Sequence, residues 1–197
     1  MDLGIFVEDF AQAMKDADAR RPQAASHRTG RVYQPGIGPH AENDAVDLVV
    51  AELKRLHPER YAAIRSRARY PMSRQKCDLI LEGQEGWAIE VKMARFSGDN
   101  GKPDDTSIKD ILSPYDYDRS ALSDCAKLAN AGFQGRAAMV IYGFEDNRRP
   151  LDSIIVAFEV LARTRVSLGP RYVAEFEGLI HPVFKAGRVF GWEVSRK

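Results

Sequence analysis

Residues 77–93 read Cys-Asp-Leu-Ile-Leu-Glu-Gly-Gln-Glu-Gly-Trp-Ala-Ile-Glu-Val-Lys-Met. Two apolar runs flank a segment that holds Gly83 and Gly86. β-Branched and aromatic residues bounded by glycines predict a β-hairpin. Residues two apart on a strand share a face. Glu90 and Lys92 therefore point one way, while Ile89, Val91 and Met93 turn into the core. Asp78 opens the first strand on the face of Ile80 and Glu82. A loop with an odd number of residues brings Asp78 to the face of Glu90 and Lys92, and simple pairing through a three-residue loop sets it opposite Lys92. A two-residue loop needs a bulge to do the same.

Downstream, Ala-Ala-Met-Val-Ile-Tyr-Gly-Phe at 137–144 is a continuous apolar run. Such a run marks a strand buried on both faces. Residues 118–131 read as a helix, with Ala121, Leu122, Cys125, Leu128 and Ala129 on one side and Gly132 past its end. Strand, helix and strand make a β-α-β crossover, which joins parallel strands with a right-handed connection. Between them, residues 94–117 lack periodicity, and Ser-Gly-Asp-Asn-Gly-Lys-Pro-Asp-Asp reads as a polar, mobile insertion. A helix over about 151–163 and strands within 172–180 and 183–195 follow. The fold class is α/β, with a mixed central β-sheet flanked by helices.

Upstream, Val46, Val49, Leu53 and Leu56 recur at helical spacing, with Pro39 in the first turn and His57-Pro58 as the stop. Glu42 extends that apolar stripe, and a buried carboxylate needs a partner. A metal ion or Lys92 would serve. Residues 60–77 hold Arg60, Arg65, Arg67, Arg69, Arg74 and Lys76, no acid, and the tyrosines Tyr61 and Tyr70. This run reads as a phosphate-contacting loop, with Tyr70 near a sugar or base; its plainer reading is a solvated surface loop. Residues 3–18 form an amphipathic helix, and 19–38, with Arg20, Arg21, Arg28 and Arg31 among prolines and glycines, read as a linker or basic arm. The organisation is an N-terminal helix and arm over 1–38, then one α/β domain over 39–197.

The chain has 197 residues, 44% apolar and 29% charged, with 29 basic and 28 acidic side chains. That suits one domain and excludes a mainly disordered chain. A net charge of +1 excludes a uniformly basic nucleic-acid coat, so any such contact is a local patch. No apolar run is long enough to span a membrane, and the acidic start lacks the basic region of a secretory signal. Two distant cysteines, Cys77 and Cys125, fit a reducing, cytoplasmic compartment. With no Cys-x-x-Cys and four scattered histidines, a structural zinc site is not expected.

Two or three carboxylates meeting at one point bind a hard divalent cation such as Mg²⁺. A neighbouring ammonium stabilises developing negative charge. Cys77-Asp78, eleven residues, then Glu90-Val91-Lys92, preceded by a helix bearing Glu42, resembles the PD-(D/E)XK, or restriction-endonuclease-like, nucleases. The resemblance covers about residues 39–145. Cys77 stands where the family name has proline, a position that varies. The resemblance implies a restriction-endonuclease-like core and an Mg²⁺-dependent hydrolase acting on DNA, with Mn²⁺ as an alternative metal. It implies Asp78, Glu90, Glu42 and the Val91 carbonyl as metal ligands and Lys92 as the group that positions the attacking water. Homodimers are common among relatives, and a protein partner stays open. Arg65, Arg67, Arg69, Arg74, Lys76 and Arg119 are the candidate nucleic-acid contacts. The rivals are a non-catalytic nucleic-acid-binding or partner-binding module on the same fold, and an unrelated α/β protein with a cross-strand charge cluster.

Overall fold

The computed structural model describes residues 2–26, 29–70, 74–83, 86–115, 117–145 and 149–197. In chain order the elements are α1 (Leu3–Ala19), α2 (Glu42–Leu56), α3 (Pro58–Tyr61), β1 (Arg65–Arg69), β2 (Lys76–Leu81), β3 (Trp87–Arg95), α4 (Thr106–Leu112), α5 (Ala121–Asn130), β4 (Arg136–Glu145), α6 (Asp152–Arg165), β5 (Ser167–Leu168), β6 (Tyr172–Glu177) and β7 (Ala186–Ser195). The seven described strands form one mixed sheet in the order β1-β2-β3-β4-β7-β5, with β6 also paired to β7. Only β3 and β4 are parallel; each other described pair is antiparallel. The hairpin β2–β3 and the crossover from β3 through α5 to β4 are both present.

Helices cover both faces. On one, Phe6 and Phe10 of α1 and Val49 and Leu53 of α2 pack with Ile89, Val91, Val140 and Tyr142. On the other, Leu122, Cys125 and Phe158 of α5 and α6 pack with Ala88, Met139, Ile141 and Trp192. The central strands β3 and β4 therefore lose water on both sides, which is why their sequences read as near-continuous apolar runs. Trp87 and Trp192 are both core residues. No described helix is long and apolar enough to cross a membrane.

Local signals explain several boundaries. Asp2 caps α1 by accepting a 2.7 Å hydrogen bond from Gly4 N–H. Gly132, at φ 63°, follows α5 in the left-handed conformation that glycine adopts without strain. Asp18, 2% exposed near the end of α1, accepts from Ile37 N–H at 2.8 Å and Ile180 N–H at 2.6 Å. One carboxylate thus ties the 19–38 segment and the β6–β7 connection to the first helix. Asp18→Ala leaves two backbone donors without their acceptor, and about 2–4 kcal/mol of stability should be lost in urea unfolding. Wild-type stability in that variant would show that the clasp contributes nothing.

The structure departs from sequence expectation in four places. The basic run contains an edge strand, β1, rather than a loop. Its exposed Arg65, Arg67 and Arg69 give the sheet edge a charged border that discourages further strand pairing. The 94–117 segment contains α4 and a Ser97–Pro103 bridge, so it is partly ordered secondary structure. α2 begins at Glu42 after the cap Ala41, leaving Pro39 outside its first turn. The hairpin loop spans 82–86, an odd number of residues that brings Asp78 to the face of Glu90 and Lys92 as expected. Leu79 pairs with Ile89, however, so Asp78 comes level with Glu90 and not, as a three-residue loop would set it, with Lys92. Two of the loop residues, 84 and 85, and two of the arm, His27 and Arg28, lie outside the described residues.

Candidate active site

The candidate site lies where β2 parts from β3. Regular pairing between these strands covers Leu79–Leu81 only. Three alternate β3 amides then meet side chains. Val91 N–H donates to Asp78 Oδ2 at 2.9 Å, Met93 N–H to Glu42 Oε2 at 2.7 Å, and Arg95 N–H to Ser107 Oγ at 2.9 Å. The period of two puts these donors on one edge of the strand. Asp78 and Glu42 thereby replace ladder acceptors that β2 no longer supplies. β1 takes part in the same departure: the β1–β2 ladder skips Arg67 and Asp78, and Arg67 adopts φ 52°.

On the face of β3 toward α5, Glu90 and Lys92 project into a network of opposite charges. Glu90 is 1% exposed and Lys92 8%. Lys92 Nζ lies 2.8 Å from Asp124 Oδ2 and 3.6 Å from Glu42 Oε1. Lys127 Nζ bridges Glu90 Oε1 at 2.8 Å and Asp124 Oδ1 at 2.9 Å. Tyr70 is buried beneath the site, not beside it, and its hydroxyl donates to Glu90 Oε1 at 2.5 Å. That burial removes Tyr70 from contact with a sugar or base.

Asp124 and Lys127 were absent from the sequence reading. The available signal was Asp124 itself, which falls in the buried stripe Ala121, Cys125 and Leu128 of α5. An acid at such a position needs a partner, and Lys127 one turn on faces the same way.

Burial pushes the Glu90 carboxyl up to about 8, helped by the negative charges of Asp78 and Asp124 and a hydrogen bond with Asp78. Burial also raises Glu42, with Lys92 opposing. Burial pulls Lys92 down, but Glu42 and Asp124 more than reverse this and hold it charged. Lys127 follows the same pattern, with Glu90 and Asp124 outweighing burial. The Cys77 thiol, buried next to Asp78, is pushed up to about 12, mainly by burial. It is an unreactive packing group at neutral pH.

These side chains open into a cleft of about 510 Å³ lined by Glu42, Asp78, Glu90, Lys92, Asp124 and Lys127, with Arg67, Lys76 and Arg119 at its walls. All four residues expected to carry catalysis are thus brought together. Of the six candidate nucleic-acid contacts, Arg67, Lys76 and Arg119 border the cleft. Arg65, which pairs with Glu82 at 2.6 Å, and the exposed Arg69 and Arg74 are not among the residues lining it. Arg67 also pairs with Asp47 of α2 at 2.8 Å. His40, close in sequence to Glu42, is buried outside this cleft, and burial lowers its pKa.

Among the described residues, no three His, Cys, Asp or Glu side chains are gathered as a metal-holding group. Lys127 stands between Glu90 and Asp124, and Asp78 and Glu42 each commit an oxygen to a β3 amide. The donor chemistry nevertheless suits a hard divalent cation. The acids supply only oxygen ligands, and burial, with the negative charges of Asp78 and Asp124 adding to it, raises the Glu90 carboxyl, a cost that a bound cation relieves. Comparison with family models, curated proteins and solved structures finds no match.

Proposed function

We propose that this chain is a metal-dependent nuclease with a restriction-endonuclease-like core, hydrolysing DNA phosphodiester bonds. The observation that carries this reading is the meeting of Glu42, Asp78, Glu90 and Lys92 in one cleft bordered by Arg67, Lys76 and Arg119. Asp78 and Glu90 would hold Mg²⁺ or Mn²⁺, with Glu42 and the Val91 carbonyl as further oxygen donors. The bound ion would lower the pKa of a water and offset phosphate charge.

The chain's own groups carry the remaining work. Arg67, Lys76 and Arg119 attract and orient the phosphodiester backbone. Lys92, held charged by Glu42 and Asp124, orients the attacking water and stabilises the negative charge that develops on the phosphoryl oxygens. Asp78 and Glu42 hold β3 open at this point, so the site does not close into a regular hairpin. Attack by the water oxygen forms a new P–O bond, and the bond to the 3′ oxygen breaks. The attacking water gives up a proton to solvent and the leaving oxygen takes one back from solvent, so one water is consumed and a 3′ hydroxyl and a 5′ phosphate result.

The closed ion network favours one other reading, a non-catalytic nucleic-acid-binding module on the same fold. In that case Lys127 permanently fills the place of a cation between Glu90 and Asp124.

The test is cleavage by purified protein of supercoiled plasmid, linear duplex, single strand, branched junction and RNA, each with Mg²⁺, Mn²⁺ or EDTA. Asp78→Asn runs beside the wild type, because the amide oxygen can still accept from Val91 N–H while the charge is gone. Metal-dependent cutting of DNA should fall by about 10²-fold or more in the variant. DNA binding without cutting would select the module. Cutting that survives Asp78→Asn would place the catalytic site elsewhere.

A further inference from the structure

We propose that Tyr115 and Tyr117, between α4 and α5, bind unpaired bases, so that the cleft acts on single-stranded DNA or a locally unpaired strand. This rests on the nuclease reading and specifies its substrate. Tyr115 and Tyr117 are exposed, at 57% and 81%. Their rings are nearly parallel, 11° apart, with centroids separated by 5.3 Å. Stacked on one another, the rings still leave their outer faces open to water, where a further flat π-system can stack.

The loop is braced where it carries the pair. Pro114 C=O accepts from the Arg165 guanidinium, Ser113 Oγ donates to Asp118, and Ser120 Oγ donates to Ser113 C=O. Asp118 also pairs with Lys109 of α4 at 3.1 Å. The described residues on either side of the pair are therefore tied down, which reduces the entropy lost on binding.

Their position links them to the chemistry. The next two residues, Asp118 and Arg119, line the candidate cleft. A second hollow of about 370 Å³, bordered by Arg95, Thr106 and Asp110, shares Glu42, Lys92 and Arg119 with the first. The two hollows therefore adjoin at Glu42, Lys92 and Arg119, which leaves room for a strand on either side of Lys92. Bases within a duplex already stack on one another and offer tyrosine no free face, whereas unpaired bases do. A stacking pair next to the cations Arg119, Arg67 and Lys76, which share the cleft with its acids, is a combination that holds a single strand with little sequence preference.

The experiment is fluorescence anisotropy of the full chain, in EDTA, with a labelled thymidine oligonucleotide, a duplex of equal length and a uridine oligoribonucleotide. The wild type should bind the DNA single strand about tenfold or more tighter than the duplex. Tyr115→Ala/Tyr117→Ala should weaken that binding by about 10- to 100-fold and leave duplex binding nearly unchanged. Tyr115→Phe/Tyr117→Phe should retain it, because the ring face and not the hydroxyl carries the contact. Unchanged single-strand binding in the alanine variant, preference for the duplex or preference for RNA would each overturn the proposal. Binding without metal separates this result from the nuclease reading. Stacking with no cleavage would sink only the enzyme, and cleavage with tyrosine-independent binding would sink only the stacking.

Discussion

Lys92→Met should lose metal-dependent cleavage by about 10²- to 10³-fold, read as initial rates on the preferred DNA substrate. The ammonium is placed with both Glu42 and Asp124, while Lys127 meets Asp124 through its other oxygen. The same substitution carries a structural cost. With Lys92 gone, Glu42 Oε1 and Asp124 Oδ2 lose their shared partner at the buried floor of the cleft. Breaking a buried pair in this way costs about 3–5 kcal/mol. Lys92→Arg separates the two effects. It keeps a positive charge between the acids and should unfold within about 1 kcal/mol of the wild type. Its planar fork does not reproduce a compact ammonium, so cleavage should still fall by about tenfold or more. Wild-type rates in a folded Lys92→Met protein would remove Lys92 from the chemistry.

The second large effect is a fall in stability with rising pH, centred on Glu90. Its carboxyl is pushed from the ordinary 4.5 up to about 8 in the folded chain. Between these values the folded state keeps a proton that the unfolded state releases. The stabilisation is therefore complete below about pH 4.5 and is lost as pH rises through about 8. A shift of this size corresponds to about 5 kcal/mol, at 1.36 kcal/mol for each pH unit. Urea unfolding from about pH 5 to pH 9 should show the decline, and Glu90→Gln should flatten it. A profile equally steep in Glu90→Gln would assign the decline to other groups. A divalent cation prefers ionised carboxylates, so added Mn²⁺ should stabilise the wild type more at the alkaline end than near neutrality.

Much of this site was written locally. Glu90-Val91-Lys92 alternates across a strand, and two residues of separation are enough to put Glu90 and Lys92 on one face. The apolar run at 137–144 demanded burial on both sides, and the helix between the two strands supplied the crossover. Glu42 was legible as a carboxylate on an apolar stripe that needed a partner.

Other features depend on pairings between residues far apart in the chain. No local signal distinguished Arg65–Arg69 as a strand, because three exposed arginines read equally well as a solvated loop. Its strand character comes from hydrogen bonding to β2. The level of Asp78 was set by the Leu79–Ile89 register, and its direction by the break in pairing that leaves Val91 N–H to its carboxylate. Tyr70 could be counted with the basic run until packing placed it under Glu90. The roles of Asp124 and Lys127 emerged only when α5 was laid across β3. Short-range alternation and helical spacing determined which side chains share a face. The burial of opposite faces and the unmet hydrogen bonds of β3 decided which of those faces meet, because both are satisfied only when distant segments pack together.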